Sequence, residues 1–149
     1  MAASMWDPAV RTSFVDRALK LTPESKALWG KFSVSGMMAH LNDSYRMVLG
    51  ELIIPSKNLP LRYTPIKQLV IYVLPFPKSA PTAPQLLERC DAASFVDERQ
   101  MLLQMFDKLA AVKPGDQLQE HPAFGVLTHH TYGVQVGRHT DHHLKQFGV

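Results

Sequence analysis

Proline placement limits what this chain can fold into more than any other feature. Seven of the eleven prolines fall between residues 55 and 93: Pro55, Pro60, Pro65, Pro75, Pro77, Pro81 and Pro84. Proline lacks a backbone donor and its ring clashes with the preceding helical turn, so no long helix can run through this stretch. On either side of it, apolar residues recur at helical spacing. Asp7-Pro8 reads as a helix start, a capping carboxylate followed by proline at the first helical position. Val10, Phe14, Val15, Ala18 and Leu19 continue that pattern. Thr22-Pro23-Glu24 opens a connector with room for a short helical turn through Trp29. Ser33 can cap a second helix, with Met37, His40, Leu41, Ser44, Val48 and Leu49 on one side and Gly50 and Pro55 at its end. Ser94 can cap a third, marked by Phe95, Leu102, Met105, Phe106 and Leu109 and closed by Pro114-Gly115-Asp116. Thr128 can cap a fourth, with Gly148 as its stop. Long helices are therefore expected near residues 8–21, 33–50, 94–112 and 128–147. Within the proline-rich stretch only one short helix is expected, from Pro65 to about Tyr72, capped by Thr64. Leu69, Val70, Ile71, Val73 and Leu74 need burial, which makes this segment a packed crossover and not a disordered linker.

Four amphipathic helices without a convincing strand set predict an all-α four-helix bundle in one domain over residues 1–149. The medium connector predicts that the first two long helices are antiparallel. The crossover between the second and third is long enough to span the bundle and let those two run parallel.

Composition narrows the function classes. With 46% hydrophobic and 19% charged residues the chain should fold. The net charge is only +3 and its lysines and arginines are scattered, which argues against nucleic acid as a partner. Cys90 is the single cysteine, so no intramolecular disulfide can form, as suits a reducing compartment. The N-terminal residues show no signal-peptide pattern. The apolar run Leu69–Leu74 falls far short of the roughly 20 residues that cross a bilayer. A cytoplasmic protein without a membrane partner is expected.

Chemistry concentrates in the histidines. Three of the seven lie in Arg138-His139-Thr140-Asp141-His142-His143. Imidazoles at i and i+4 share a helix face, about 6 Å apart along the axis, so both can reach one metal ion. Tyr132, Val136, His139, His143 and then Gln146 or Phe147 step by three or four and predict the inward seam of the last helix. His142, turned by about 100°, should lie at its edge. His40 falls on the inward stripe of the second helix. One reading of these positions is core histidines hydrogen-bonded to carbonyls or carboxylates. The other is a metal, which satisfies two imidazoles in one core layer at once. The zinc-protease pattern is absent, because Thr140 and not glutamate follows the first histidine.

Two further stretches carry a family resemblance. His121-Pro122-Ala123-Phe124-Gly125-Val126-Leu127-Thr128, together with His139-Thr140-Asp141-His142-His143-Leu144-Lys145-Gln146-Phe147-Gly148, resembles the C-terminal signature of the DUF1569 group of the DinB/YfiT-like superfamily. Trp29-Gly30-Lys31-Phe32-Ser33 leading to Met38-Ala39-His40-Leu41 is similar to the same family's entry into the second helix. The resemblance implies an up-down-down-up four-helix bundle with a long crossover between its second and third helices. It also implies a metal held by His40, His139 and His143. Where relatives carry acidic residues and a tryptophan early in the last helix, this chain has His129, His130 and Tyr132, a departure at the helix start.

Three neutral imidazoles leave a divalent ion its full charge and at least one open position, the arrangement of catalytic zinc. Such an ion can activate water or hold a thiolate. Imidazole suits zinc or nickel, and also iron or copper. The expected function is a metal-dependent enzyme, either a transferase joining a low-molecular-weight thiol to a small molecule, as the superfamily allows, or a hydrolase. The alternative is a non-catalytic metal- or small-ligand-binding bundle. A homodimer is expected, because relatives often pair and Leu69–Leu74 is a large apolar stretch for one small bundle to bury. Asp43 and Asp141 can orient ligand imidazoles or serve as solvated helix charges. Gln146 can face the open position or be polar filler at a fraying end. His121 can line the mouth or fix its loop. Cys90 reads as a small buried or half-buried residue, and Met37, Met38, Met101 and Met105 as core filler.

Overall fold

The computed structural model describes residues 2–78 and 80–149, and every regular element among them is helical. The helices are α1 (Pro8–Ala18), α2 (Val34–Val48), the single turn α3 (Ile66–Gln68), α4 (Phe95–Ala110) and α5 (His129–Gln146). No strand occurs among the described residues beyond an isolated bridge between His121 and Gly125. None of their helices is long and apolar enough to cross a membrane.

The expected caps form. The Asp7 carboxylate accepts from the Ala9 N–H, and the hydroxyls of Ser33, Ser94 and Thr128 accept from Gly36, Asp97 and Thr131. Each such cap contributes about 1 kcal/mol to its helix. The helices stop one to three residues before their expected ends, since Leu19, Leu49 and Ala111 serve as C-caps. Gly50 and Gly148 follow in the left-handed region at φ +77° and +76°. The connector after α1 contains turns and bends but no helical turn at Trp29.

The crossover differs from expectation in detail. Thr64 caps nothing; α3 begins at Ile66 without a side-chain cap and runs into a π-helical turn at Leu69–Val73. That turn buries Ile71 fully and Val70 and Tyr72 in part, but leaves Leu69, Val73 and Leu74 exposed. Ile71 packs with Phe124 and Val134 in a small cluster separate from the main core. Arg138 on α5 holds the turn by donating to the carbonyls of Val70, Ile71 and Leu74.

Among the long helices α2 packs on α4 and α5, and α1 packs on α4 and α5. The core runs through Met37, Leu41, Tyr45, Leu102, Phe106 and Leu144. α2 is covered nearly all round, with 13 of its 15 residues buried, because the crossover closes the side that its neighbours leave open. Asp43 is neither of the two things its sequence position suggests, a hydrogen-bond partner of a histidine or a solvated helix charge. It is buried and paired with Arg46 and with Arg89 of the crossover, and Arg89 also binds the buried Glu98 of α4. Asn42 completes the network by donating to Glu98 Oε2.

The N-terminal segment lies across α5, where the Met5 N–H donates to the Gly133 carbonyl at 2.8 Å. A Cβ on Gly133 would sit 2.3 Å from Trp6, and one on Gly137 would sit 2.4 Å from the Ala3 carbonyl oxygen. Glycine four residues apart on one helix face is what permits this approach.

Candidate metal centre

α2 and α5 bring His40, His139 and His143 together, with one ligand-capable nitrogen of each within 4.8 Å of the others. The His139 Nε2 lies 3.1 Å from the Nε2 of His40 and 3.1 Å from that of His143. Ligands on a tetrahedral ion with bonds of about 2.0–2.1 Å stand about 3.3 Å apart, so the spacing is close to that of a coordination face. His40 and His143 are buried and His139 is half-buried.

Hydrogen bonds fix two of the tautomers. The Nδ1 of His40 lies 3.2 Å from the Leu86 carbonyl, which can only accept, so Nδ1 carries the proton and Nε2 a lone pair. Leu86 belongs to the 3₁₀ turn Pro84–Leu86 of the crossover. Gln146 donates its amide N–H to the Trp29 carbonyl at 2.9 Å, which turns its Oε1 toward the His143 Nδ1 at 2.8 Å. His143 Nδ1 therefore donates and its Nε2 is also bare. Two lone pairs then face His139 Nε2, which holds one proton at most and cannot satisfy both. A divalent cation satisfies all three.

Electrostatics keeps the group deprotonated. Burial lowers His40 to about 4 and His143 to about 3, and it holds His139 well below its ordinary 6.5, with its neighbouring imidazoles adding to the shift. Neutral imidazole is the ligating form. The aromatic shell is equally specific. Phe32 of the connector stacks on His40 at 5.2 Å and meets His143 edge-on at 5.7 Å, while Phe76 of the crossover stacks on His139 at 6.0 Å.

The connector reaches the end of α5 through Gly30, at φ +78°, where a Cβ would fall 2.7 Å from the Gln146 side-chain nitrogen. Gln146 thus orients His143 and does not face an open position. His142 stays outside the three-histidine group, tilted against Trp29 and Phe76 at 5.7 Å from each. Asp141 pairs with Arg17 and Lys145 and makes no bond to an imidazole. His121 fixes its own loop, its Nδ1 accepting from the Ala123 and Phe124 N–H groups. Cys90 is half-buried, and burial pushes its thiol up to about 11. His129 stacks on Trp6 and His130 on Tyr72, both away from the triad.

Beside the triad an open groove of about 300 Å³ is lined by Trp29, Phe76, Lys78, Arg138, His142 and Lys145, among others. Phe76 and His142 separate it from His139 and His143. Spacing in the sequence points to part of this wall, because Arg138, His142 and Lys145 share one face of α5. Nothing local marks Leu86, Phe32 or Phe76 as neighbours of the triad. No family model, curated protein or solved structure matches the chain.

Proposed function

We propose that His40, His139 and His143 hold one divalent metal ion and that the protein is a metal-dependent enzyme acting on a small molecule. The convergence of three neutral imidazoles carries this reading: two have their Nδ1–H groups engaged, and their bare Nε2 atoms face the Nε2 of the third. Zinc or nickel suits the donor set best, and iron or copper is compatible with it. When bound, the ion supplies a Lewis-acidic position at which water or a thiolate is activated. The chain's own residues do the rest. Leu86 and Gln146 hold two imidazoles in the ligating tautomer, Phe32 and Phe76 cover the triad from two sides, and the groove admits a substrate. A set of three protein ligands, which leaves a coordination position open, favours catalysis over a purely structural ion.

A thiol-dependent transfer or a hydrolysis both fit. The resemblance to DinB/YfiT-like proteins favours the transferase with a low-molecular-weight thiol. The same resemblance, together with the pairwise packing of α1, α2, α4 and α5 and the long crossover between α2 and α4, supports an up-down-down-up four-helix bundle. An experimental structure with α2 and α4 antiparallel would refute that topology. A free, half-buried Cys90 is compatible with a cytoplasmic location. One observation favours a non-catalytic role, namely that the triad spans α2 and α5, so an ion would tie these helices together.

Metal content of untagged protein tests the centre. Wild type and His142→Ala should each hold about one ion per chain, and His143→Ala should lose it because two ligands remain. Loss in His142→Ala with retention in His143→Ala would overturn the ligand assignment. Loaded protein should then accelerate conjugation of a small thiol to an electrophile, or hydrolysis. Neither activity, with metal stoichiometry intact, would leave the structural role.

A further inference from the structure

The groove beside the triad carries more positive charge than its own carboxylate balances. Lys78, Arg138 and Lys145 line it against a single acid, Asp141. Asp141 is already engaged by Lys145 at 2.7 Å and Arg17 at 2.9 Å. Among the described residues neither Lys78 nor Arg138 has a carboxylate partner. Nη1 and Nη2 of Arg138 donate to the carbonyls of Val70, Ile71 and Leu74, which hold the guanidinium in place without neutralising it. Both cations lie against aromatic faces, Lys78 Nζ 4.7 Å from the Trp29 ring and Arg138 5.5 Å from the Phe76 ring. Trp29 also has an indole N–H covered from solvent and without an acceptor. Low-dielectric walls carrying one sign of charge concentrate ligands of the opposite sign. Resting on the metal reading above, the neutral triad would add the undiminished charge of the ion to the same field.

We propose that this groove binds the anionic group of a small organic substrate, a planar carboxylate or phosphate monoester, at Lys78, with its planar body against Trp29 and Phe76. Lys78 makes the direct contact because it is exposed and its ammonium is free to turn. Arg138 contributes its charge from a fixed position. The anionic group and the planar body sit on the groove side of Phe76, which with His142 stands between the groove and the triad.

The test uses three probes that share a ring system: 1-naphthoate, 1-naphthyl phosphate and the uncharged 1-naphthalenemethanol. Each is titrated calorimetrically into metal-free and zinc-loaded protein, with zinc stoichiometry measured on the same samples. At least one anion should bind about fivefold or more tighter than the neutral probe, and the tighter anion identifies the preferred group. Lys78→Gln should weaken that anion about fivefold and Lys78→Glu about tenfold, with helicity and zinc content unchanged because Lys78 is exposed. Equal binding of all three probes, or unchanged anion affinity in Lys78→Glu, would overturn the proposal. The two readings fail separately. Protein that takes up no zinc yet discriminates by charge rejects the metal centre and supports the groove. Protein that holds zinc and binds the probes alike rejects the groove alone.

Discussion

Gln146 offers the sharpest test of how the triad is organised. It is 3% exposed, accepts from His143 Nδ1 at 2.8 Å and donates to the Trp29 carbonyl at 2.9 Å. Replacing it with methionine keeps the length and removes both bonds. His143 then loses the acceptor that fixes its tautomer and orientation. Loss of such a partner behind a ligating imidazole typically weakens metal binding about 10- to 100-fold. The Trp29 carbonyl is also left without its donor, at a cost of about 1–3 kcal/mol of stability in the metal-free protein. Gln146→Glu separates the effects. A carboxylate accepts more strongly from Nδ1–H and raises the basicity of His143, so zinc affinity should match or exceed wild type. It cannot donate to the carbonyl, so stability should still fall. Competition with a chromophoric chelator gives the affinities and urea unfolding gives the stabilities. Zinc affinity in Gln146→Met within twofold of wild type would refute the proposed tautomer control. So would weakening in Gln146→Glu equal to that in Gln146→Met.

Other perturbations probe the frame around the site. In the metal-free protein His121 and His40 are held at about 4 and His143 at about 3, all below the 6.5 of an unfolded chain. The unfolded state therefore takes up more protons, so stability should be full above about pH 6.5 and fall as pH drops toward about 4; urea midpoints that do not change between pH 7 and 4.5 would contradict this. Burial should also move proton competition at the proposed metal centre below the pH of about 6 that free histidine suggests, toward about 4. Gly137→Ala drives a Cβ against the Ala3 carbonyl, a backbone atom that can yield only if the N-terminal segment shifts, and should lower stability by about 1–3 kcal/mol with helicity retained; an unchanged melting temperature would argue against that packing. Arg89→Met leaves the buried Glu98 without a cation and with only the Asn42 amide, and leaves Asp43 with only Arg46, so about 3 kcal/mol should be lost in urea unfolding; a loss below about 1 kcal/mol would mean that Arg89 does not close the network. We further propose that two copies pair through the exposed Leu69, Val73 and Leu74; sedimentation showing only monomer at micromolar concentration, or a dimer untouched by Val73→Asp, would refute it.

What the sequence by itself determined about this protein are its local features. Asp7, Ser33, Ser94 and Thr128 mark the four long helices because a cap acts within two or three residues of itself. Proline density marks the crossover for the same reason. His139 and His143 meet because helical geometry alone sets their spacing, and the inward stripe of α2 places His40 on their side. Where burial came from distant chain, residue patterns were insufficient. Asp43 reads as a surface charge on its own helix, but Arg89, 46 residues away, makes its burial tolerable. The same holds for Leu69–Leu74, whose composition calls for burial that α5 and Phe124 provide on one side only. The tautomers of the triad were also decided by tertiary structure. His40 depends on a carbonyl 46 residues away, and Gln146 on one 117 residues away. No local spacing encodes those pairings, because a backbone carbonyl carries no side-chain signature and only the packed chain brings it to the imidazole.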